Sequence, residues 1–129
     1  MKSALIKKVV LVASIGLFSQ LSLAQDNASA VRDIAGIVAS MNHFASDADK
    51  AKLMAISENG SLAQGVRDMA MAVAHIQHAA PAEDKATMNA LASNEQVPEG
   101  ARALAGIIAN FNHMASADAK AQLAQMFPQ

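Results

Sequence analysis

A 35-residue spacing between similar segments is the feature that most constrains how this chain folds. The sequence Val-Arg-Asp-Ile-Ala at residues 31–35 recurs as Val-Arg-Asp-Met-Ala at 66–70 and as Ala-Arg-Ala-Leu-Ala at 101–105. Arginine, histidine and lysine that recur in one register are not expected by chance, even in an alanine-rich chain. The spacing therefore predicts an array of similar supersecondary units. The positions identical in all three copies are Arg32/Arg67/Arg102, Ala35/Ala70/Ala105, Ala39/Ala74/Ala109, His43/His78/His113, Ala45/Ala80/Ala115, Lys50/Lys85/Lys120 and Ala51/Ala86/Ala121.

Each copy has the apolar spacing of two short helices, A and B. In helix A, predicted over residues 62–79 of the second copy, apolar side chains recur three or four residues apart, as on one buried helix face. Helix B is predicted to begin at Ser46, Pro81 and Ser116, which are residue types favoured at helix N-termini. The predicted buried positions of helix A are Ile34, Val38, Met41, Ala45, Met69, Val73, Ile76, Ala80, Leu104, Ile108, Phe111 and Ala115.

The turns between copies contain an asparagine at equivalent positions, Asn59 and Asn94. Asparagine tolerates the left-handed backbone conformation that ends many helices, so we expect these two residues to adopt it. The predicted copies therefore run over about residues 26–60, 61–95 and 96–129.

One helix pair of this length cannot bury both of its faces, whereas stacked pairs share a continuous core. The expected fold is all-α, with three 35-residue helix-turn-helix repeats stacked as a short α-solenoid. In architecture the pattern resembles the HEAT and tetratricopeptide classes of helical repeat, and Val-Arg-x-x-Ala resembles the start of a HEAT second helix. The chain has no Trp or Tyr, which tetratricopeptide repeats use. The resemblance covers residues 26–129 as a helix-pair pattern and implies no particular activity.

The first 24 residues have the layout of a secretory signal peptide. Three lysines within the first eight residues precede an apolar run at residues 9–18, and Ser22 and Ala24 place small side chains at −3 and −1 of a cleavage site. An uncleaved membrane anchor is the alternative, but a span needs about 20 apolar residues. We therefore predict a signal peptide over residues 1–24 and a domain over residues 25–129, in the periplasm or outside the cell.

Composition excludes several classes of function for the predicted mature chain. Cleavage would remove 24 of 129 residues and three of ten basic groups, so the remaining 105 residues would carry seven basic and eleven acidic groups, a formal net charge of −4. Such a chain lacks the basic surface that nucleic acids require. Without cysteine it has no disulfide, zinc finger or thiol nucleophile. No nucleophile–base or phosphate-loop motif is present, so we predict that it is not an enzyme.

The repeated Arg and His residues have a structural and a functional interpretation. At 100° per residue, His43 lies opposite Ile34 on helix A. In the structural interpretation each histidine supports the turn into helix B, beside the preceding Asn or Gln. In the functional one, helix A presents a face to a protein or peptide partner, and an aligned row of arginines favours a carboxylate-bearing one. We take an exported binding module as the leading hypothesis, with these partner-binding or structural residues: Arg32, His43, Arg67, His78, Arg102 and His113.

A metal site is the second hypothesis for an exported, cysteine-free chain rich in Met and His. Met71, His75 and His78 are spaced i, i+4, i+7, which on one helix would place three copper ligands on one side. The equivalent histidines of stacked helices are expected to lie about 8–10 Å apart, too far to share one ion unless their side chains converge. Because most methionines also fall at predicted core positions, we predict no cofactor, with copper or another metal at Met71, His75 and His78 as the alternative.

Self-association in the cell envelope is the third hypothesis. The last predicted helix carries apolar residues to its end, at Leu123, Met126 and Phe127. These residues form either the ordinary core of a three-repeat stack or a surface for a homo-oligomer. Terminal repeats usually have a polar outer face, which makes an apolar end notable.

Overall fold

The computed structural model describes residues 21–128, with side chains from residue 26 onward. This part of the chain is all-α, as predicted, and has no strand. The predicted signal peptide falls mostly on residues 1–20, outside the described residues, and its predicted cleavage site lies within the first helix. No helix in the described part is long and apolar enough to cross a bilayer. The helices are α1 (Leu21–Ser40), α2 (Asp47–Ser57), α3 (Gln64–Ala74), α4 (Ala82–Ser93), α5 (Glu99–Ala109) and α6 (Ala117–Met126).

The second, fourth and sixth helices begin where the sequence predicts. The Ser46 hydroxyl accepts a hydrogen bond from the Asp49 N–H at 3.1 Å, and the Ser116 hydroxyl accepts one from the Ala119 N–H at 3.0 Å. Each bond satisfies an amide that has no partner within the helix. Pro81 is the N-cap residue of α4 and makes no side-chain cap hydrogen bond.

The odd-numbered helices end earlier than the sequence predicts. Helix A of the second copy was expected over residues 62–79, but α3 ends at Ala74 and the chain then turns. Ile76 and Ala80 lie beyond the helix and are nevertheless buried. The apolar spacing therefore identified residues of the core correctly but extended the helix through a turn.

The core contains every apolar position predicted for helix A. None of those twelve side chains is more than 5% exposed. The even-numbered helices each add one fully buried side chain at equivalent positions, Leu53, Met88 and Leu123. The burial is continuous from α1 to α6, so the helices share one core.

The helices pack across the predicted boundaries between copies. The helix α2 packs mainly against α3, and α4 packs mainly against α5, whereas α1 and α2 touch little. The first helix also contacts α5 and α6, so the two ends of the described chain meet. In an open solenoid a unit touches only its neighbours. The packing here is solenoid-like in pairing adjacent helices but brings the first and last units together.

Candidate metal centre

Three turns with the same unusual backbone follow α1, α3 and α5. His43, His78 and His113 have φ angles of 73°, 72° and 67°, and no other non-glycine residue in the described part has a positive φ. This left-handed region costs an ordinary residue on the order of 1–3 kcal/mol and persists only where surrounding structure enforces it. Such residues concentrate at functional sites, so the three turns mark this end of the helices as a candidate site.

The three histidines are joined through their backbones. The His43 N–H donates to the His113 carbonyl, the His78 N–H to the His43 carbonyl, and the His113 N–H to the His78 carbonyl, with N···O distances of 2.5–2.7 Å. Each histidine both donates and accepts, so the bonds form a closed ring. This backbone ring holds together three turns that lie 35 residues apart in sequence.

The imidazoles of the same residues also converge. Their ring centroids lie 4.9–5.2 Å apart, each pair meeting edge to face. One nitrogen from each ring lies within 4.8 Å of the others. The expected separation of 8–10 Å was wrong, because it assumed that histidines lie on stacked helices, whereas they lie in turns that meet in the backbone ring. We call His43, His78 and His113 the histidine cluster.

A neighbouring amide orients one member of the histidine cluster. The Nδ1 of His113 lies 2.7 Å from the Oδ1 of Asn112. An amide oxygen only accepts, so His113 donates its Nδ1–H and keeps the lone pair on Nε2 for a ligand. Metal-binding histidines are commonly held by such a bond through their other ring nitrogen.

The ligand set predicted from helical spacing is not brought together on a helix. The helix α3 ends at Ala74, so Met71 lies within it, His75 is its C-cap and His78 is in the turn beyond. The Nδ1 of His75 lies 2.8 Å from the Oδ2 of Asp84 instead. Of the three predicted ligands, only His78 belongs to the histidine cluster.

The repeated arginines have three different surroundings. Arg32 is exposed, whereas Arg67 and Arg102 are partly buried. The Nη2 of Arg67 donates to the Oε1 of Gln64 at 3.0 Å. The Nε atoms of Arg67 and Arg102 are buried without a hydrogen-bond partner. The predicted row of equivalent arginines therefore does not form a uniform exposed face.

The histidine cluster opens to solvent beside two exposed apolar side chains. His78 and His113 are exposed and His43 is partly buried. Phe44 and Met114, which directly follow two of the histidines, are 54% and 44% exposed. The Nζ of Lys50 lies 5.7 Å from the centroid of the Phe44 ring. No carboxylate among the described residues joins the cluster, so its donors are three imidazoles without a compensating negative charge.

Comparison with protein-family models, curated proteins and solved structures finds no match for this chain. The chemistry of the site is therefore inferred from its own geometry. Three imidazole nitrogens that converge from a fixed backbone are donors for Zn, Cu, Ni or Fe ions. The repetition of histidine was visible in the sequence, but the backbone ring that gathers the three side chains was not.

Proposed function

We propose that this protein binds one transition-metal ion through His43, His78 and His113. The observation that carries the proposal is the convergence of three imidazoles from three unfavourable backbone turns. A purely structural turn would be satisfied by glycine, which adopts positive φ more readily than any other residue. Histidine at all three positions adds a nitrogen donor each time.

The cluster needs only side-chain adjustment to hold an ion. Metal–nitrogen bonds of about 2.0–2.1 Å at tetrahedral angles place two ligand nitrogens about 3.3 Å apart. The present nitrogens lie within 4.8 Å of one another, and two of the three imidazoles are exposed. Because nitrogen donors bind Cu²⁺ more tightly than Zn²⁺ in the usual order of divalent ions, we expect copper(II) to bind most strongly.

The proposed site uses all three predicted repeats, since each contributes one ligand at the same position. We propose that the chain consists of three copies of a 35-residue helical unit that are stacked as in a solenoid and closed by the contact of α1 with α5 and α6. Equivalent backbone angles at residues 43, 78 and 113 support this arrangement. A binding role without catalysis is the simplest function for such a site.

Export is part of the proposal and follows from the predicted signal peptide. An oxidising compartment is compatible with a chain that has no cysteine and uses histidine as its donor. Expression of the full chain with an export pathway should yield a periplasmic or secreted protein that begins at Gln25. The intact mass of the exported protein tests this, and a mass that retains residues 1–24 contradicts it.

Metal titration of purified protein tests the main proposal. The metal-free protein is titrated with Cu²⁺ and Zn²⁺ against a competing chelator, beside variants His43→Gly, His78→Gly, His113→Gly and His75→Ala. We expect one ion per chain, and a loss of affinity above about 100-fold in each glycine variant, because losing a ligand costs more than losing an outer-shell partner. The His75→Ala protein is the matched control and should bind as wild type. Unchanged affinity in the three glycine variants would show that the cluster is not the site.

A carboxylate-bearing peptide partner is a second candidate, favoured by a groove at the opposite termini of the helices. The groove has a volume of about 310 Å³ and lies between the middle of α1, the start of α5 and the end of α6. Val31, Ala101 and Met126 give it apolar walls, and Arg32 places a cation on it. Pockets of this size and composition suit small ligands.

If the groove binds the partner, Arg32 should contribute more to partner binding than the equivalent Arg67. Recovery of partners from exported extract by wild type, Arg32→Ala and Arg67→Ala distinguishes the two positions. A partner lost only with Arg32→Ala supports the groove. Equal recovery by all three proteins argues against it.

A further inference from the structure

The histidine cluster supplies three donors and no fourth. Among the described residues, no other histidine, aspartate or glutamate reaches it. Four-coordinate sites with only three protein ligands keep the last position for water or another ligand from solution. Since His78 and His113 are exposed, that position faces solvent.

The charge of such a complex determines which ligand it attracts. Three neutral imidazoles leave a divalent ion with its full positive charge, because no carboxylate joins the cluster. The predicted mature chain is acidic overall, so the attraction would be local to the ion. At short range an uncompensated divalent cation favours an anionic donor over water.

We propose that the metal-loaded protein binds a small monodentate anion, of the carboxylate or azide type, at the outward coordination position of the ion. This inference rests on the proposed metal-binding function and adds its ligand class. The protein would then recognise a metal and an anion together, and it would bind the anion only when loaded. Phe44 and Met114 directly follow two of the cluster histidines and are exposed. In this proposal their side chains would contact the organic part of a carboxylate ligand.

Copper(II) provides a direct probe of this position. Protein loaded with one equivalent of Cu²⁺ is titrated with sodium azide, and the azide-to-copper charge-transfer absorption is recorded. We expect a band that saturates at one azide per copper and that sodium acetate reverses by competition. Metal-free protein should give no band, and protein-free Cu²⁺ in the same buffer is the reference for azide bound outside the site.

The outcomes separate this inference from the function on which it rests. Failure to bind Cu²⁺ against the chelator overturns both proposals. Copper binding without any azide band overturns only the open anion position. A band that appears in Met114→Leu but not in wild type overturns it too, because the thioether would then occupy the fourth position.

A second copy of the chain is the other possible fourth ligand. Sedimentation of the copper-loaded protein tests it, since a bridged ion would produce a dimer only when metal is present. A metal-dependent dimer that azide does not dissociate overturns the proposed anion site. A monomer that binds one azide supports it, and His43→Gly should lose both the copper and the azide band.

Discussion

The turn histidines combine an unfavourable backbone with a useful side chain. A positive φ is uncommon outside glycine, although histidine tolerates it better than most residues. Here three histidines share it within 6° of one another, at 73°, 72° and 67°. The backbone ring explains how the conformation is enforced, because each turn is hydrogen-bonded to the other two.

The backbone and ligand roles of one histidine can be separated by two substitutions. Without metal, His43→Gly should be more stable than His43→Ala by about 1 kcal/mol, since only glycine avoids the left-handed penalty. Both variants should lose the metal affinity. Urea unfolding of metal-free protein measures the difference. An alanine variant as stable as the glycine variant would contradict the strain attributed to this turn.

The amide beside His113 should influence the metal without touching it. Asn112→Ala removes the acceptor of the His113 Nδ1–H and should lower Cu²⁺ affinity by about 10–100-fold. Asn42→Ala is the control, because Asn42 occupies the equivalent position and has no hydrogen bond to His43 among the described contacts. Chelator competition measures both. Equal effects at the two positions would argue against an orienting role.

At the scale of helices, the N-cap residues were predictable from the sequence, whereas the C-terminal ends of the helices were not. Ser46 and Ser116 were predicted as N-caps and make the expected bonds. Asn94 was expected to be left-handed, but its φ is −89°. Its side chain accepts a hydrogen bond from the Gln96 N–H at 2.9 Å, and Asn59 does the same for the Ser61 N–H at 2.9 Å. The left-handed residues were the histidines, whose conformation depends on partners far away in sequence.

The two serine caps should contribute similar stability. Ser46→Ala and Ser116→Ala each leave an amide without its acceptor and should lower the free energy of unfolding by about 1 kcal/mol. Ser93→Ala is the control, because Ser93 is exposed at the end of α4 and its loss should change stability by less than about 0.5 kcal/mol. Urea unfolding compares the three. A large loss at Ser93 alone would contradict the assignment of the caps.

At the scale of the whole molecule, periodicity predicted an all-helical array but not the contact between its two ends. A small rotation per unit decides whether a helical array stays open or returns to its start, and alanine spacing does not encode that rotation. The contact of α1 with α5 and α6 is therefore the part of the fold that the sequence left undetermined. The separation of the histidines was misjudged because they were placed on helices, whereas they lie in turns joined by backbone hydrogen bonds.

The contact of α1 with α5 and α6 also bears on self-association. Leu123 is buried, and Met126 and Phe127 are partly buried within the chain. The apolar end of α6 thus has an intramolecular use, against α1 and α5, and the metal-free protein should sediment as a monomer over a wide range of concentration. A concentration-dependent dimer would restore the predicted homo-oligomer surface.

Binding of the proposed metal should also report whether the complete fold is formed. The ligands come from three turns 35 residues apart, so an unfolded chain offers no preformed site and the ion binds the native state preferentially. At free Cu²⁺ 100 times the dissociation constant, the free energy of unfolding should rise by about 2.7 kcal/mol. Urea unfolding with and without Cu²⁺ measures this gain, which His75→Ala should keep and His78→Gly should lose. An equal gain in His78→Gly would mean that copper stabilises the protein from another site, because a two-histidine remnant of the cluster cannot match the affinity of three.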